Sequence, residues 1–130
     1  MVSKKNFSIG IRQEQVLECF WDAGGGITVP EIMEQMDKRF GIPLSKSAVN
    51  TMIQALSKKG LVELEEKRRY AYLYRVTITR EEMQTAEIRQ LQNLLFGGSA
   101  KAMLVGLLKA NADSEDLAEA RKILQEQQQE

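Results

Sequence analysis

LSKSAVNTMIQALSKKGLVELEE, residues 44–66, predicts a helix, a glycine stop and a β-strand in direct succession. Ser45 is a good N-cap, because its hydroxyl can accept a hydrogen bond from the first helical turn. Gly60 follows Lys58 and Lys59, and a glycine after basic residues is typical of a helix C-terminus. The chemistry of this helix decides whether it only packs in a small core or also reads a ligand on its outer face.

The two faces of this helix differ in chemistry at about 100° per residue. The core face is predicted to carry Val49, Met52, Ile53 and Leu56. The opposite face carries Ser47, Thr51, Gln54 and Lys58, flanked by Lys46, Asn50 and Ser57. No carboxylate occurs from residue 46 to residue 59. Hydroxyls, amides and ammonium groups can bond base edges and phosphates, which a carboxylate would repel.

The segments on either side predict two more helices and a hairpin. IRQEQVLECFWDAGGG has an apolar helical face and ends in three glycines. TVPEIMEQMDKRFG begins with a capping box of Thr28 and Glu31, with Pro30 in the first turn. LVELEE and YAYLYRV are predicted strands joined by the basic tip KRR. Three helices followed by a hairpin is the order of a winged helix-turn-helix.

The C-terminal part predicts three helices that need a partner. Thr79 and Glu82 form another capping box, and Ser99 and Ser114 can cap the helices that follow. About 50 residues are too few to enclose a good core, so two copies are expected to pack together; the alternative is packing on the same chain. The predicted dimerisation residues are Ile88, Leu91, Leu95, Met103, Leu104, Leu107, Leu108 and Ile123. The fold class is mainly α with a small β-hairpin: a winged helix-turn-helix domain, residues 1–78, and a helical dimerisation domain, residues 79–130.

The net charge of +0 conceals an asymmetry that fits this division. Residues up to Arg80 include 13 Lys and Arg against 9 Asp and Glu, a net charge of +4. The remainder has 5 against 9, a net charge of −4. A basic N-terminal half joined to an acidic C-terminal half indicates two parts with different roles.

Composition argues against several other classes of protein. There is no histidine, which removes the commonest general base and metal ligand. The single cysteine, Cys19, lies beside Phe20 in a helix and is interpreted as a core residue. No phosphate-binding loop is present. The N-terminus MVSKKNFSIG has no apolar stretch typical of a secretory signal, and no apolar run is long enough to span a bilayer. We expect a cytoplasmic protein that is not an enzyme, has no membrane partner and needs no cofactor or metal.

The acid-free helix and the basic tip together favour double-stranded DNA as the partner. The predicted DNA-binding residues are Lys46, Ser47, Asn50, Thr51, Gln54, Lys58, Lys67, Arg68 and Arg69. Lys4, Lys5 and Arg12 are further candidates for backbone contacts. One alternative is an ordinary solvated helix face, and another is a winged helix used for protein contact. Tyr70, Tyr72 and Tyr74 alternate along a strand and are interpreted as packing against the helices rather than as a stacking platform.

This order of segments resembles the BlaI/MecI penicillinase-repressor family, which also includes CopY-type copper-responsive repressors. SIGIRQEQVLECFW resembles its first helix with a closing tryptophan, and TVPEIMEQM its second. SKSAVNTMIQALSKKGLVELEEKRRYAYLYRV resembles its recognition helix and wing, and TREEMQTAEIRQLQNLLFGGSAKAMLVGLL its linker and dimerisation helices. The resemblance implies a homodimeric repressor that reads a palindromic operator in the major groove.

Three departures limit what the resemblance implies. Family members often carry arginine on the recognition helix, whereas this helix offers Asn50 and Gln54. Penicillinase-type members are cut by a sensor protease at an Asn-Phe bond, and the matching position here is Gly106-Leu107. Copper-responsive members carry Cys-x-Cys motifs, which this sequence lacks. The operator sequence, the upstream sensor and the inducing signal are therefore not indicated.

Overall fold

The computed structural model of the chain describes residues 9–128. Lys4 and Lys5 lie outside the described residues. The chain divides into two compact units, the first ending at Ala86 and the second beginning at Glu87. We call them the N-terminal unit and the C-terminal unit.

The N-terminal unit contains the predicted three helices and hairpin, together with one extra strand. Its elements are α1 (Ile11–Ala23), β1 (Ile27–Thr28), α2 (Val29–Phe40), α3 (Lys46–Lys58), β2 (Val62–Lys67) and β3 (Tyr72–Val76). The three strands form an antiparallel sheet in the order β1-β3-β2. Ile27 pairs with Tyr74 and Val62 with Val76. The sequence predicted a two-stranded ribbon, and the third strand supports it, because isolated two-stranded ribbons are marginal in water.

The core of the N-terminal unit lies between the helices and the sheet. Its largest fully buried side chains are Phe20, Leu17, Ile32, Met36, Leu56, Leu61 and Met83. On α3, Val49, Ile53 and Leu56 are buried and Met52 packs against the core while half-buried, which confirms the predicted core face. Cys19 is buried in the same cluster, as predicted.

Local hydrogen bonds define the ends of α3. The Ser45 hydroxyl accepts a hydrogen bond from the Ala48 N–H at 3.0 Å. At the other end Gly60 has a φ of 77°, in the left-handed region that side chains other than glycine rarely adopt. The Gly60 N–H donates to the Ser57 carbonyl at 2.9 Å, and the Leu61 N–H donates to the Leu56 carbonyl at 3.0 Å. Both the predicted cap and the predicted stop are confirmed, and β2 follows at once.

Three helices form the rest of the chain. They are α4 (Arg80–Phe96), which starts in the N-terminal unit, α5 (Ala100–Ala110) and α6 (Glu115–Gln128). In α4 the buried residue is Met83, and in α5 and α6 no described residue is buried. Within residues 9–128 no single helix is long and apolar enough to cross a membrane; α4 and α5, bent by 90° at the break between them, pass that test only as a pair.

Candidate nucleic-acid interface

The outer face of α3 presents the predicted polar side chains to solvent. Lys46, Ser47, Thr51, Gln54 and Lys58 are exposed, and Asn50 is half-buried. Because Val49, Ile53 and Leu56 anchor the opposite face in the core, the rotation of the helix about its axis is fixed. The polar face is therefore presented in one orientation.

Hydrogen bonding distinguishes the side chains on this face. The Thr51 hydroxyl donates to the Ser47 carbonyl at 3.0 Å, so its remaining capacity is to accept. In the part of the chain that the structure describes, the side chains of Lys46, Asn50 and Gln54 take no part in a hydrogen bond or ion pair, and the same holds for Lys58. Their donors are free for a ligand.

The wing, residues 62–76, carries three cations near its tip in different surroundings. The Lys67 ammonium lies 6.0 Å from the centre of the Tyr72 ring, and the Arg69 guanidinium lies 5.4 Å from that of Tyr70. Arg68 Nε instead donates to Glu66 Oε2 at 3.2 Å. Part of the charge of Arg68 is therefore compensated within the wing.

A cleft of about 300 Å³ lies between α3 and the wing tip. Lys46 and Asn50 line it from α3, and Arg68 and Arg69 line it from the wing. The other lining residues are Val29, Pro30, Tyr70, Ala71, Tyr72 and Tyr74, so none of residues 9–128 contributes a carboxylate to the cleft. We call it the basic cleft. Ser47, Thr51, Gln54, Lys58 and Lys67, the other predicted DNA-binding residues, do not line it.

The tyrosines are less buried than their alternation predicted. Tyr70 is 86% exposed and lies in the turn before β3, and Tyr72 is 47% exposed at the tip end of that strand, paired with Lys67. Only Tyr74, further along β3, packs against the core. The predicted packing role is wrong for Tyr70 and Tyr72, because the turn is longer than the alternating pattern suggested. Both rings are exposed at the wing tip, where a ligand can reach them.

β2 carries acidic residues that the sequence-based prediction of the interface does not include. Glu63 pairs with Arg75 across the ribbon, and Glu66 pairs with Arg68. A register shift between Leu64 and Glu66 interrupts the pairing of β2 with β3. The cross-strand partner of Glu63 could have been found from the alternation of the two strands, whereas the irregular register has no local signal.

Cys19 is buried in the core and does not line the basic cleft. Burial raises the pKa of Cys19 above its ordinary value of 9.0, with Asp22 and Glu18 adding to that effect while Arg39 opposes it. A protonated, buried thiol is a poor nucleophile. Among residues 9–128 no group of three His, Cys, Asp or Glu side chains is arranged to hold a metal ion.

Most of the predicted dimerisation residues are exposed apolar side chains on the last three helices. Leu95 is 63% exposed, and Ile88, Leu91, Leu104, Leu107 and Ile123 are exposed to a similar or slightly smaller extent. Met103 and Leu108 are half-buried. Leu94, Val105 and Leu124 are further exposed apolar residues on the same helices. Single exposed leucines are ordinary, whereas three successive helices here carry many of them. This exposure is compatible with the predicted dimerisation surface, which stays a prediction.

Comparisons with known proteins agree with the fold. The family model described as "Penicillinase repressor" matches residues 9–126. The structure is similar to RosR: the complex structure hsRosR-S4 has a TM-score of 0.54 and 14% identity, covering 85% of this chain and 92% of that chain. A second structure, described as that of H. salinarum RosR "grown from NaBr", has a TM-score of 0.50 and 15% identity, covering 81% of this chain and 94% of that chain. No curated protein gave a match. The predicted winged-helix fold class is confirmed.

Proposed function

The chain belongs to the penicillinase repressor family, and from this premise we propose that it is a repressor that binds a palindromic DNA operator as a homodimer. As a member of this family, it is a winged-helix transcriptional regulator. In the proposal, residues 1–78 read the DNA and residues 79–130 join the two copies. α3 enters the major groove, and the wing contacts the phosphate backbone.

The observation that carries this proposal is the basic cleft. Lys46 of α3 and Arg68 and Arg69 of the wing lie around one concavity, and its lining residues in the described part of the chain include no carboxylate. A duplex offers phosphates on both sides of its major groove, so a helix in the groove and a basic tip beside it bind the same stretch of DNA. The exposed tip cations supply the sequence-independent part of the affinity.

Base readout is assigned to the amides of α3. Asn50 and Gln54 each carry a free donor and acceptor pair, which matches the N6 and N7 atoms of adenine in the major groove. Lys46 and Lys58, near the two ends of α3, are assigned to phosphates. Ser47 and Thr51 lie between them, and Thr51 is restricted to accepting hydrogen bonds while its hydroxyl donates to its own helix.

Dimerisation is proposed through the apolar surface of α4, α5 and α6. Helix α5 is rich in aliphatic side chains, yet none of its residues is buried within one chain. A second copy would cover this surface and remove its aliphatic side chains from water. Each Å² of apolar surface buried in this way stabilises the dimer by about 25 cal/mol. A twofold dimer then presents two α3 helices, and a palindromic site has the same symmetry.

Selection of bound sequences from a random duplex pool tests the proposal. We expect an enriched palindrome with half-site centres about one helical turn, or a multiple of it, apart. Binding should weaken by orders of magnitude between roughly 50 and 200 mM salt. If no duplex binds even at low salt, the repressor assignment is wrong, and the alternative of a winged helix used for protein contact takes its place.

A substitution at Asn50 separates base readout from phosphate contact. Asn50→Ala should lose preference at one base position, at a cost of about 1–3 kcal/mol there, while affinity for other sequences changes little. Asn93→Ala, which removes an exposed amide from α4, is the matched control and should leave the preference unchanged. Equal weakening on every sequence would make Asn50 a phosphate contact instead.

A further inference from the structure

A cluster of side chains outside the candidate interface fastens the start of α4 to α1. The Trp21 indole N–H donates to the backbone carbonyl of Ile78 at 2.9 Å, two residues before α4 begins. Ile78 itself is buried. The segment that leads into α4 is therefore held at both its backbone and its side chain.

Arg80, the first residue of α4, completes this connection. Its Nη2 atom donates to Glu18 Oε2 at 2.7 Å and to Asp22 Oδ1 at 3.1 Å, both on α1. The guanidinium lies 5.3 Å from the centre of the Trp21 ring, within the range of a cation–π contact. These hydrogen bonds raise the pKa of Arg80 above its ordinary value. Arg39 of α2 pairs with the same Asp22 carboxylate.

The first turn of α4 has two further restraints. The Thr79 N–H donates to Glu82 Oε1 at 3.3 Å, and the Glu82 N–H donates to the Thr79 hydroxyl at 3.0 Å, which forms the predicted capping box. Met83 is 1% exposed and anchors the same turn in the core. In the rest of α4 no described residue is buried. Ala86, in the next turn, also packs against the core while half-buried. The start of α4 is thus fixed to the N-terminal unit.

We propose that four positioning residues, Trp21, Arg80, Glu18 and Asp22, set the direction in which α4 leaves the N-terminal unit. That direction in turn sets the spacing between the two half-sites of the operator that the dimer binds. We call these four residues the clamp. The proposal rests on the proposed function, because it requires a dimer that reads two half-sites. No clamp residue is assigned a DNA contact.

The length of α4 explains why its first turn has this influence. Its 17 residues form one continuous helix, about 25 Å long at 1.5 Å per residue. A change of about 10° at its start moves its far end by about 4 Å, which exceeds the 3.4 Å rise of one base pair. Small changes at the clamp are therefore large enough to alter half-site spacing by a whole base pair.

The experiment measures affinity against spacing. A palindrome selected with the wild-type protein is rebuilt with one or two base pairs inserted or removed at its centre, and each duplex is titrated with wild type, Arg80→Ala and Trp21→Phe. We expect the wild type to lose about tenfold per base pair, and both variants to lose less than about threefold, with base preferences inside each half-site unchanged. Trp21→Phe keeps an aromatic ring beside Arg80 but removes the N–H donor together with part of the indole.

Controls separate positioning from damage to the fold. Arg89→Ala removes an exposed cation from α4 beyond the anchored turn and should keep the wild-type profile. Arg80→Lys should retain part of the spacing preference, since it keeps the charge but not the planar guanidinium. Circular dichroism and binding to a single half-site confirm that each variant is folded.

Three results overturn the proposal. A folded Arg80→Ala or Trp21→Phe variant with the wild-type spacing profile shows that the clamp does not set spacing. If the wild type binds half-sites with no spacing preference, the clamp proposal is also wrong, whereas the proposed DNA-binding function stands. A wild type that binds no duplex removes the proposed function, and the clamp proposal with it.

Discussion

Gly26 lies so close to Leu73 that a Cβ atom at residue 26 would fall 2.6 Å from the Leu73 Cγ atom. Leu73 is a buried residue of β3, and Gly26 immediately precedes β1, which pairs with that strand. The third of the three glycines therefore allows close approach of the backbone to a core side chain.

Gly26→Ala is expected to destabilise the fold by about 1–3 kcal/mol, because Leu73 or the backbone must move to accommodate the methyl group. Gly25→Ala is the matched control: its Cβ atom would have no neighbour within 4 Å, and its φ lies outside the left-handed region. Urea unfolding of both variants gives the comparison. Equal free energies of unfolding would contradict the role assigned to this close approach.

Glu66→Gln is expected to strengthen binding to any duplex severalfold at low salt. The carboxylate accepts a hydrogen bond from Arg68 and compensates part of its charge beside the basic cleft. Removing the carboxylate frees Arg68 for a phosphate. The slope of the logarithm of affinity against the logarithm of salt concentration should then steepen by about the amount for one phosphate contact. Both side chains are more than half exposed, so the lost ion pair should change stability little.

Glu119→Gln, an equal change of charge at an exposed position of α6, is the control for Glu66→Gln and should leave affinity nearly unchanged. Titrations of wild type and both variants with one duplex at several salt concentrations provide the measurement. Weaker binding by Glu66→Gln would mean that Glu66 orients Arg68 rather than competing for it.

Elements with local signals were predictable from the sequence. The caps at Thr28, Ser45, Thr79 and Ser99 each join a side chain to a backbone N–H three residues away, so short patterns are sufficient to find them. The polar face of α3 follows from the 3.6-residue period in the same way.

The features that were missed depend on residues distant in sequence. β1 has only two residues and follows a glycine run. Its partner Tyr74 is distant in sequence, with α2, α3 and β2 between them. Arg80 meets Glu18 across 62 residues. Neither contact has a periodic pattern, since each exists only once the core has fixed both elements. The exposure of Tyr70 was missed for a related reason: the length of the wing turn depends on where pairing of β2 with β3 ends.

Leu95→Glu is expected to weaken dimerisation by about 2 kcal/mol or more, roughly thirtyfold in the dissociation constant, because a carboxylate would be buried in the proposed interface. Ile11→Glu is the matched control. Ile11 is also exposed, at 77% against 63% for Leu95, but lies on α1. Sedimentation equilibrium at micromolar concentration distinguishes the two. A monomeric wild type, or equal effects of both substitutions, would refute the assigned interface.

Cys19 gives the folded state a pH dependence of defined sign. Burial, aided by Asp22 and Glu18 and opposed by Arg39, raises the pKa of the thiol above 9.0, the ordinary value that we take for the unfolded chain. Its contribution to stability is complete below about pH 9 and is lost as the pH rises through the folded-state pKa, because the unfolded chain ionises first.

Cys19→Ala should therefore lose less stability than wild type between about pH 8 and pH 10, measured by urea unfolding. Iodoacetamide should alkylate Cys19 far more slowly in the folded chain than in urea at the same pH, because the thiolate is the nucleophile. A cysteine placed at the exposed residue 125 by Gln125→Cys, in the Cys19→Ala background, supplies the exposed-thiol control. Similar rates for the two folded proteins would contradict the assigned burial.

Gly106→Ala is expected to have an effect that depends on Phe96. A Cβ atom at residue 106 would lie 3.1 Å from two atoms of the Phe96 ring, close enough that the ring must shift. An alanine in a helix interior otherwise stabilises by about 1 kcal/mol relative to glycine. In a Phe96→Ala background the substitution should give this full gain, and in wild type clearly less, with a coupling energy of about 0.5 kcal/mol or more.

Ala102→Gly, on the exposed side of the same helix, should show no coupling. Thermal unfolding at one fixed protein concentration measures all four combinations, since a dimer's stability depends on concentration. Additive effects of Gly106→Ala and Phe96→Ala would show that packing of the Phe96 ring does not require a glycine at residue 106.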